Sequence, residues 1–200
     1  TGTVVLAGGT LDLDGKAAAN GVTVSGTAVL NGGSAYAGVL TLDGGTLTGD
    51  AVNLAEGKTA QLKSGSIANV LSGDGGIEKP GEGTVVLTGE NTYAGTTTVS
   101  GGTLKAGGLK AFSGSTVTLS GGTLDLDNLA IENALSVTGE TTVAGGSAYA
   151  GTLKMDGGTL KGDALHLKEG TTALLSSGTI ESVLSGGGAV TKTGNGTVVI

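Results

Sequence analysis

Gly8-Gly9-Thr10-Leu11-Asp12-Leu13-Asp14 returns unchanged as Gly121-Gly122-Thr123-Leu124-Asp125-Leu126-Asp127. The offset is 121 − 8 = 113 residues. Ser34-Ala35-Tyr36-Ala37-Gly38 returns at Ser147-Ala148-Tyr149-Ala150-Gly151 with the same offset. So do Asp43-Gly44-Gly45-Thr46-Leu47 and Gly83-Thr84-Val85-Val86. Residues 1–87 therefore map onto 114–200 without a gap, and most positions are identical. A register kept over that length means that geometry sets the residue count. Stacked repeats behave this way, because each coil must lie on the one below.

Within the repeat, leucines alternate with polar residues in Thr10-Leu11-Asp12-Leu13-Asp14. Leu40-Thr41-Leu42-Asp43, Val52-Asn53-Leu54 and Leu165-His166-Leu167 do the same. A period of two marks a half-buried strand. The runs end in Gly8-Gly9, Gly32-Gly33, Gly44-Gly45, Ser64-Gly65, Ser72-Gly73 or Gly101-Gly102. Glycine serves tight corners there. Lys16-Ala17-Ala18-Ala19-Asn20 spans one helical turn at most and becomes Leu129-Ala130-Ile131-Glu132-Asn133 in the second copy. It reads as a loop or an irregular corner.

Composition narrows the architecture. Glycine supplies 42 of 200 residues, there is 1 proline, and aromatics make up 2%. Collagen is excluded, because glycine is not at every third position. Disorder is disfavoured, because hydrophobic residues reach 38% in alternating runs. With so few aromatics the core must be Val, Leu, Ile and Ala, which suits a slender coil better than a broad sandwich. The fold class is all-β: a parallel β-helix with three short strands per coil. At about twenty to twenty-five residues per coil the chain would hold about eight to ten coils. At roughly 4.8 Å per coil the rod would be on the order of 40–50 Å long. The expected inward set includes Leu11, Leu13, Val24, Leu40, Leu42, Leu47, Leu54, Leu104, Leu124, Leu126, Val137, Leu153, Leu160, Leu167 and Ile180. One consequence is testable by thermal melting. Leu126→Asp should disrupt its coil, while Asp125→Asn should be near neutral; equal melting temperatures would refute this inside–outside assignment. Residues 1–200 read as one continuous unit made of two blocks at the 113-residue offset.

The net charge of −7, with the ten lysines scattered and no arginine, argues against nucleic-acid partners. No apolar stretch is long enough to cross a membrane as a helix. No cysteine is present, so disulfides and thiolate metal sites are excluded. The chain starts inside Gly2-Thr3-Val4-Val5-Leu6 and stops inside Gly196-Thr197-Val198-Val199-Ile200. Any export signal or anchor is expected outside these residues.

Between the two copies stands Gly83-Thr84-Val85-Val86-Leu87-Thr88-Gly89-Glu90-Asn91-Thr92-Tyr93-Ala94-Gly95-Thr96-Thr97-Thr98-Val99-Ser100-Gly101-Gly102-Thr103-Leu104-Lys105-Ala106-Gly107. This stretch resembles the autotransporter-associated β-strand repeat, also called the passenger-associated transport repeat, of type V secreted bacterial proteins. Gly186 to Ile200 resembles the start of a further unit. The resemblance implies a right-handed β-helix, exported through the outer membrane by a C-terminal barrel and displayed at the cell surface. It also implies a stalk with adhesive or self-associating behaviour.

Candidate chemistry is sparse. His166 is the only histidine, and Asn53 replaces it in the first copy, which speaks against a ligand or a catalytic base. Asp12 and Asp14, with Asp125 and Asp127, form outward carboxylate pairs, without the spacing of Ca²⁺-binding β-rolls. Asp43, Asp50 and Glu56, with Asp156, Asp163 and Glu169, read likewise as a solvated face. Gly73-Asp74-Gly75-Gly76 lacks the Lys-Ser/Thr and the helix of a phosphate loop. Tyr36, Tyr93 and Tyr149 are expected to pack at corners rather than stack on sugars. Catalytic, cofactor-binding and metal sites are therefore expected to be none. The expected function is a non-catalytic adhesive stalk whose partners are a host surface or another copy. The alternatives are a filament subunit stacking end to end, or a carbohydrate-active β-helix or phage fibre.

Overall fold

The computed structural model describes residues 2–16, 21–31, 39–145 and 148–200. Parallel strands stack into a β-solenoid of about 10 turns, with no helix among the described residues. On a first side the ladder climbs from Thr3–Leu6 through Gly21–Val24, Gly76–Lys79, Thr97–Val99, Val117–Leu119 and Leu135–Val137 to Ala189–Lys192. On a second side it climbs from Gly9–Asp12 through Ala28–Asn31, Thr84–Leu87, Thr103–Ala106, Thr123–Asp125 and Glu140–Ala144 to Val198–Val199. Four long strands, Leu40–Gly49, Thr59–Ile67, Leu153–Gly162 and Thr172–Ile180, serve both sides by bending at glycine.

Gly45 shows why these corners are glycine. Its φ is +75°, and a Cβ there would lie 2.2 Å from the Gly26 carbonyl oxygen of the coil below. Gly158, 113 residues on, has φ +69° and the same 2.2 Å approach to Gly139. Both the left-handed backbone and the close stacking exclude a side chain.

The coils close at or just below the lower end of the expected twenty to twenty-five residues. Val4 pairs with Val22, Val22 with Leu40, Thr41 with Gln61, Ala60 with Ile77, Ile77 with Thr97, and Thr97 with Val117. Those six steps of 17 to 20 residues carry Val4 to Val117, and 117 − 4 = 113. The sequence offset is thus six coils. The second copy repeats the steps through Leu135, Leu153, Leu174 and Val190. It even repeats the register shift, after Leu42 in one copy and after Met155 in the other.

The core is an aliphatic ladder. Val24, Leu40, Leu42, Leu47, Leu54, Leu104, Leu124, Leu126, Val137, Leu153, Leu160, Leu167 and Ile180 are all buried, as alternation requires. Each fully buried leucine contributes about 2 kcal/mol. Leu11 and Leu13 depart from the expectation and are only half-buried. They lie in the first coil, with no coil below among the described residues, whereas their counterparts Leu124 and Leu126 are covered from both directions.

The third side is irregular. It forms strands at Val52–Asn53 and Leu71–Ser72, and again at Ala148–Ala150, Leu165–Leu167 and Leu184–Gly186. Between them, side-chain amides replace the ladder. Asn91 Oδ1 accepts from the Leu71 amide at 2.8 Å, and its Nδ2 donates to the Ala111 carbonyl at 2.7 Å. Asn133 Nδ2 donates to the Ser115 carbonyl at 2.7 Å. Both side chains are buried, so these bonds satisfy backbone groups that would otherwise be stranded. Residues 129–134 form an irregular corner, as expected. The counterpart 17–20 lies outside the described residues.

Candidate functional surface

Outward residues follow the same registers as the core. On the second side Lys105 Nζ reaches Asp127 at 2.7 Å and Asp125 at 3.6 Å, linking adjacent coils. The bond to Asp127 holds the Lys105 ammonium above its ordinary pKa, with Asp125 adding to it. Lys161 pairs with Glu140 at 2.7 Å, which holds that carboxyl below its ordinary value. Lys63 pairs with Asp43 at 2.9 Å, and Lys168 with Glu132 at 2.8 Å. Such exposed pairs pin neighbouring coils only weakly. The duplicated carboxylates Asp12, Asp14, Asp50, Glu56, Asp156, Asp163 and Glu169 are exposed. Among the described residues, no group of three or more His, Asp or Glu side chains is placed to hold a metal ion.

His166 lies between buried Leu165 and Leu167, so it faces outward, as Asn53 does between Val52 and Leu54. Its Nδ1 stands 3.4 Å from Ser185 Oγ of the next coil.

Tyr93 packs at a corner, as expected. It is 1% exposed and starts a buried relay. Its hydroxyl lies 2.5 Å from Thr97 Oγ1, which lies 2.9 Å from Ser115 Oγ, which donates to the Phe112 carbonyl at 2.9 Å. The last bond uses the serine proton, so Thr97 donates to Ser115 and Tyr93 donates to Thr97. Burial pushes the Tyr93 hydroxyl up to about 12. Tyr93→Phe is expected to cost about 1 kcal/mol near neutral pH by chemical denaturation. A group whose pKa is raised on folding contributes stability below its unfolded value and loses it as pH rises. The wild type should therefore lose stability relative to Tyr93→Phe between the ordinary tyrosine value of 10.0 and about 12. A difference that stays constant across that window would refute the assignment. Tyr36 and the side chain of Tyr149 lie outside what the structure describes.

Lys79 was not picked out by residue type. It follows buried Ile77 and outward Glu78, and it is the register partner of core residue Val99. Its side chain therefore enters the aliphatic ladder and is 0% exposed. Nζ donates to the carbonyls of Pro80 at 2.8 Å, Gly81 at 3.0 Å and Gly101 at 3.3 Å. Burial pushes this ammonium below the ordinary lysine range, and Glu82 acts in the opposite sense. The signal was present in the alternation Ile77-Glu78-Lys79, followed by the turn at Pro80-Gly81. Its role is to cap a corner. Lys192 holds the same place one block later.

The passenger-associated-transport-repeat family matches residues 25–48 and 77–106. The second match covers the stretch that carried the resemblance; the first lies where the sequence shows only general Gly-Thr-Leu character. The adhesin BmaC autotransporter of Brucella suis biovar 1 (strain 1330) is 35% identical over 212 residues, covering 98% of this chain. The chain spans only 6% of that relative's length. No solved structure matches it. A parallel β-solenoid carrying these repeats, continuously similar to an autotransporter, belongs to the autotransporter passengers that are exported to the bacterial cell surface.

Proposed function

We propose that this chain is a non-catalytic, adhesive stretch of passenger that works through extended surface, with a host surface or another copy of itself as partner. The observation that carries this reading is the duplicated, outward-facing polar columns. Carboxylates recur in both copies at several heights along the rod rather than converging on one cleft. The relative's description as an adhesin supports the same reading. In this reading residues 1–200 act as one continuous rod with the six-coil block as its unit.

The test is direct. Beads coated with the purified 200-residue chain should bind host epithelial cells or extracellular-matrix protein above beads coated with an unrelated acidic protein of similar size. Background-level binding to every such surface would sink the adhesive reading. Release of reducing sugar from a polysaccharide panel, lost on substitution of a carboxylate, would sink the non-catalytic one.

A further inference from the structure

Asparagine precedes glycine at Asn20-Gly21, Asn31-Gly32 and Asn195-Gly196. Of these pairs, the last lies wholly within the described residues. It sits in the turn Thr193-Gly194-Asn195-Gly196, between the strands Ala189–Lys192 and Val198–Val199. The first block has Pro80-Gly81-Glu82-Gly83 at the same place. The two turns share a shape, with φ +68° at Gly81 and +63° at Gly194.

Coil stacking dictates the residue after Asn195. A Cβ on Gly196 would lie 2.5 Å from Ser177 Cβ of the coil below, and one on Gly83 would lie 2.6 Å from Ser64 Cβ. Packing therefore demands glycine, and glycine leaves its own amide without a side chain to shield it. No hydrogen bond ties that amide either. Among the described residues neither the Gly196 nor the Gly83 N–H donates one. Gly83 has a coil above it, since the Thr103 amide donates to its carbonyl. The open amide thus belongs to the turn even with coils on both sides. Asn195 is exposed, and its carboxamide makes no hydrogen bond among the described residues.

Other asparagines differ on each count. Asn69, Asn91 and Asn133 are buried, with carboxamides tied to backbone groups of neighbouring coils. Asn53 and Asn128 precede leucine, and the amides of Leu54 and Leu129 donate to the carbonyls of Ser72 and Leu126.

We propose that Asn195 is a self-modifying site, which deamidates through its bond to Gly196 and places a carboxylate in the second block's turn. The Gly196 amide loses its proton to water or hydroxide, and the nitrogen attacks Asn195 Cγ. A five-membered succinimide closes as the Cγ–N bond breaks, and the departing group takes up a proton and leaves as ammonia. Water then opens the ring at either carbonyl, giving aspartate or isoaspartate. The balance is one water consumed, one ammonia released and one negative charge gained at neutral pH. The charge lands where the first block carries Glu82, which acts on the Lys79 ammonium. Lys192 holds the matching corner and donates to the Thr193 and Gly194 carbonyls. Deamidation thus gives the second corner the carboxylate that the first has by sequence. It goes beyond the adhesive reading and stands or falls apart from it.

The purified 200-residue chain is aged in neutral buffer at body temperature and digested with trypsin, with an unaged sample as reference. The peptide Thr193–Ile200, released after Lys192, is followed by mass spectrometry. It is expected to gain about 1 Da and to split into aspartyl and isoaspartyl forms, faster at higher pH. Peptides carrying Asn53, Asn69, Asn91, Asn128 and Asn133 should stay unchanged over the same time. Asn195→Gln must close a six-membered ring, and should age at least about tenfold more slowly. Asn195→Asp should elute with the aged protein on anion exchange. The proposal is overturned if Asn195 survives in the folded chain while the same chain in urea loses it. It is overturned equally if the buried asparagines change as fast as Asn195, or if the aged product is aspartate alone, since ring opening yields both acids.

Discussion

Leu104→Asp is expected to melt the middle of the rod. Leu104 is 0% exposed in Thr103–Ala106, with Val85 below and Leu124 above in register. The substitution removes a buried aliphatic side chain and leaves a carboxylate between two hydrophobic neighbours. The adjacent Lys105 points outward to Asp127 and is not placed to neutralise that carboxylate. The expected cost is about 4–5 kcal/mol or more. A shift of that size lowers the melting temperature of a domain of this length by roughly 10–20 °C. Because a solenoid propagates stability between neighbours, the flanking coils should loosen as well. Circular dichroism on heating reads the shift, and hydrogen exchange locates it. Lys105→Gln, one residue away on the outer face, is the control and should melt close to the wild type. If the two variants melt together, the inward assignment of this ladder is wrong.

The second large effect is expected at Lys79. Lys79→Ala removes the buried stem beyond Cβ and leaves the Pro80, Gly81 and Gly101 carbonyls without their shared donor. The loss is about 3–5 kcal/mol, combining a cavity with lost charge-assisted bonds. Lys79→Met separates the two contributions. It returns the apolar stem without the donor, so it should recover roughly half of the loss. A Lys79→Ala variant within about 1 kcal/mol of wild type in urea denaturation would show that water caps the corner equally well. A Lys79→Met variant no better than Lys79→Ala would show that the ammonium, not the stem, holds it.

These two positions also mark what could be read from sequence. Leu104 was legible, because alternation in Thr103-Leu104-Lys105-Ala106 places it inside and the fold buries what alternation buries. Lys79 was equally well placed by alternation, yet lysine reads as an outward residue; its inward position depends on a turn at Pro80-Gly81 that bends carbonyls back onto the ammonium. The coils close at the short end of the expected size for a related reason. Glycine corners such as Gly45 stack backbone on backbone, so fewer residues close a turn than ordinary loops need. The amide bridges of Asn91 and Asn133 were hidden, since their partners lie 18 to 20 residues away and only the stacking reveals the pairing. Tyr93 was legible as corner packing, but the direction of its relay through Thr97 and Ser115 required three-dimensional neighbours. The expectation of no unique active centre came from comparing the copies.

The coil-on-coil ladder also determines how the rod answers force. Its backbone hydrogen bonds run between coils, along the long axis, so a pull on the two ends loads them in tension one rung at a time rather than shearing many together. The end coil should therefore peel first, then its neighbour. Each release of the 17 to 20 residues in one step yields roughly 60–70 Å of extended chain. A stalk built this way is a series of small extensible links, which lengthens in steps under load while the coils still stacked keep their shape.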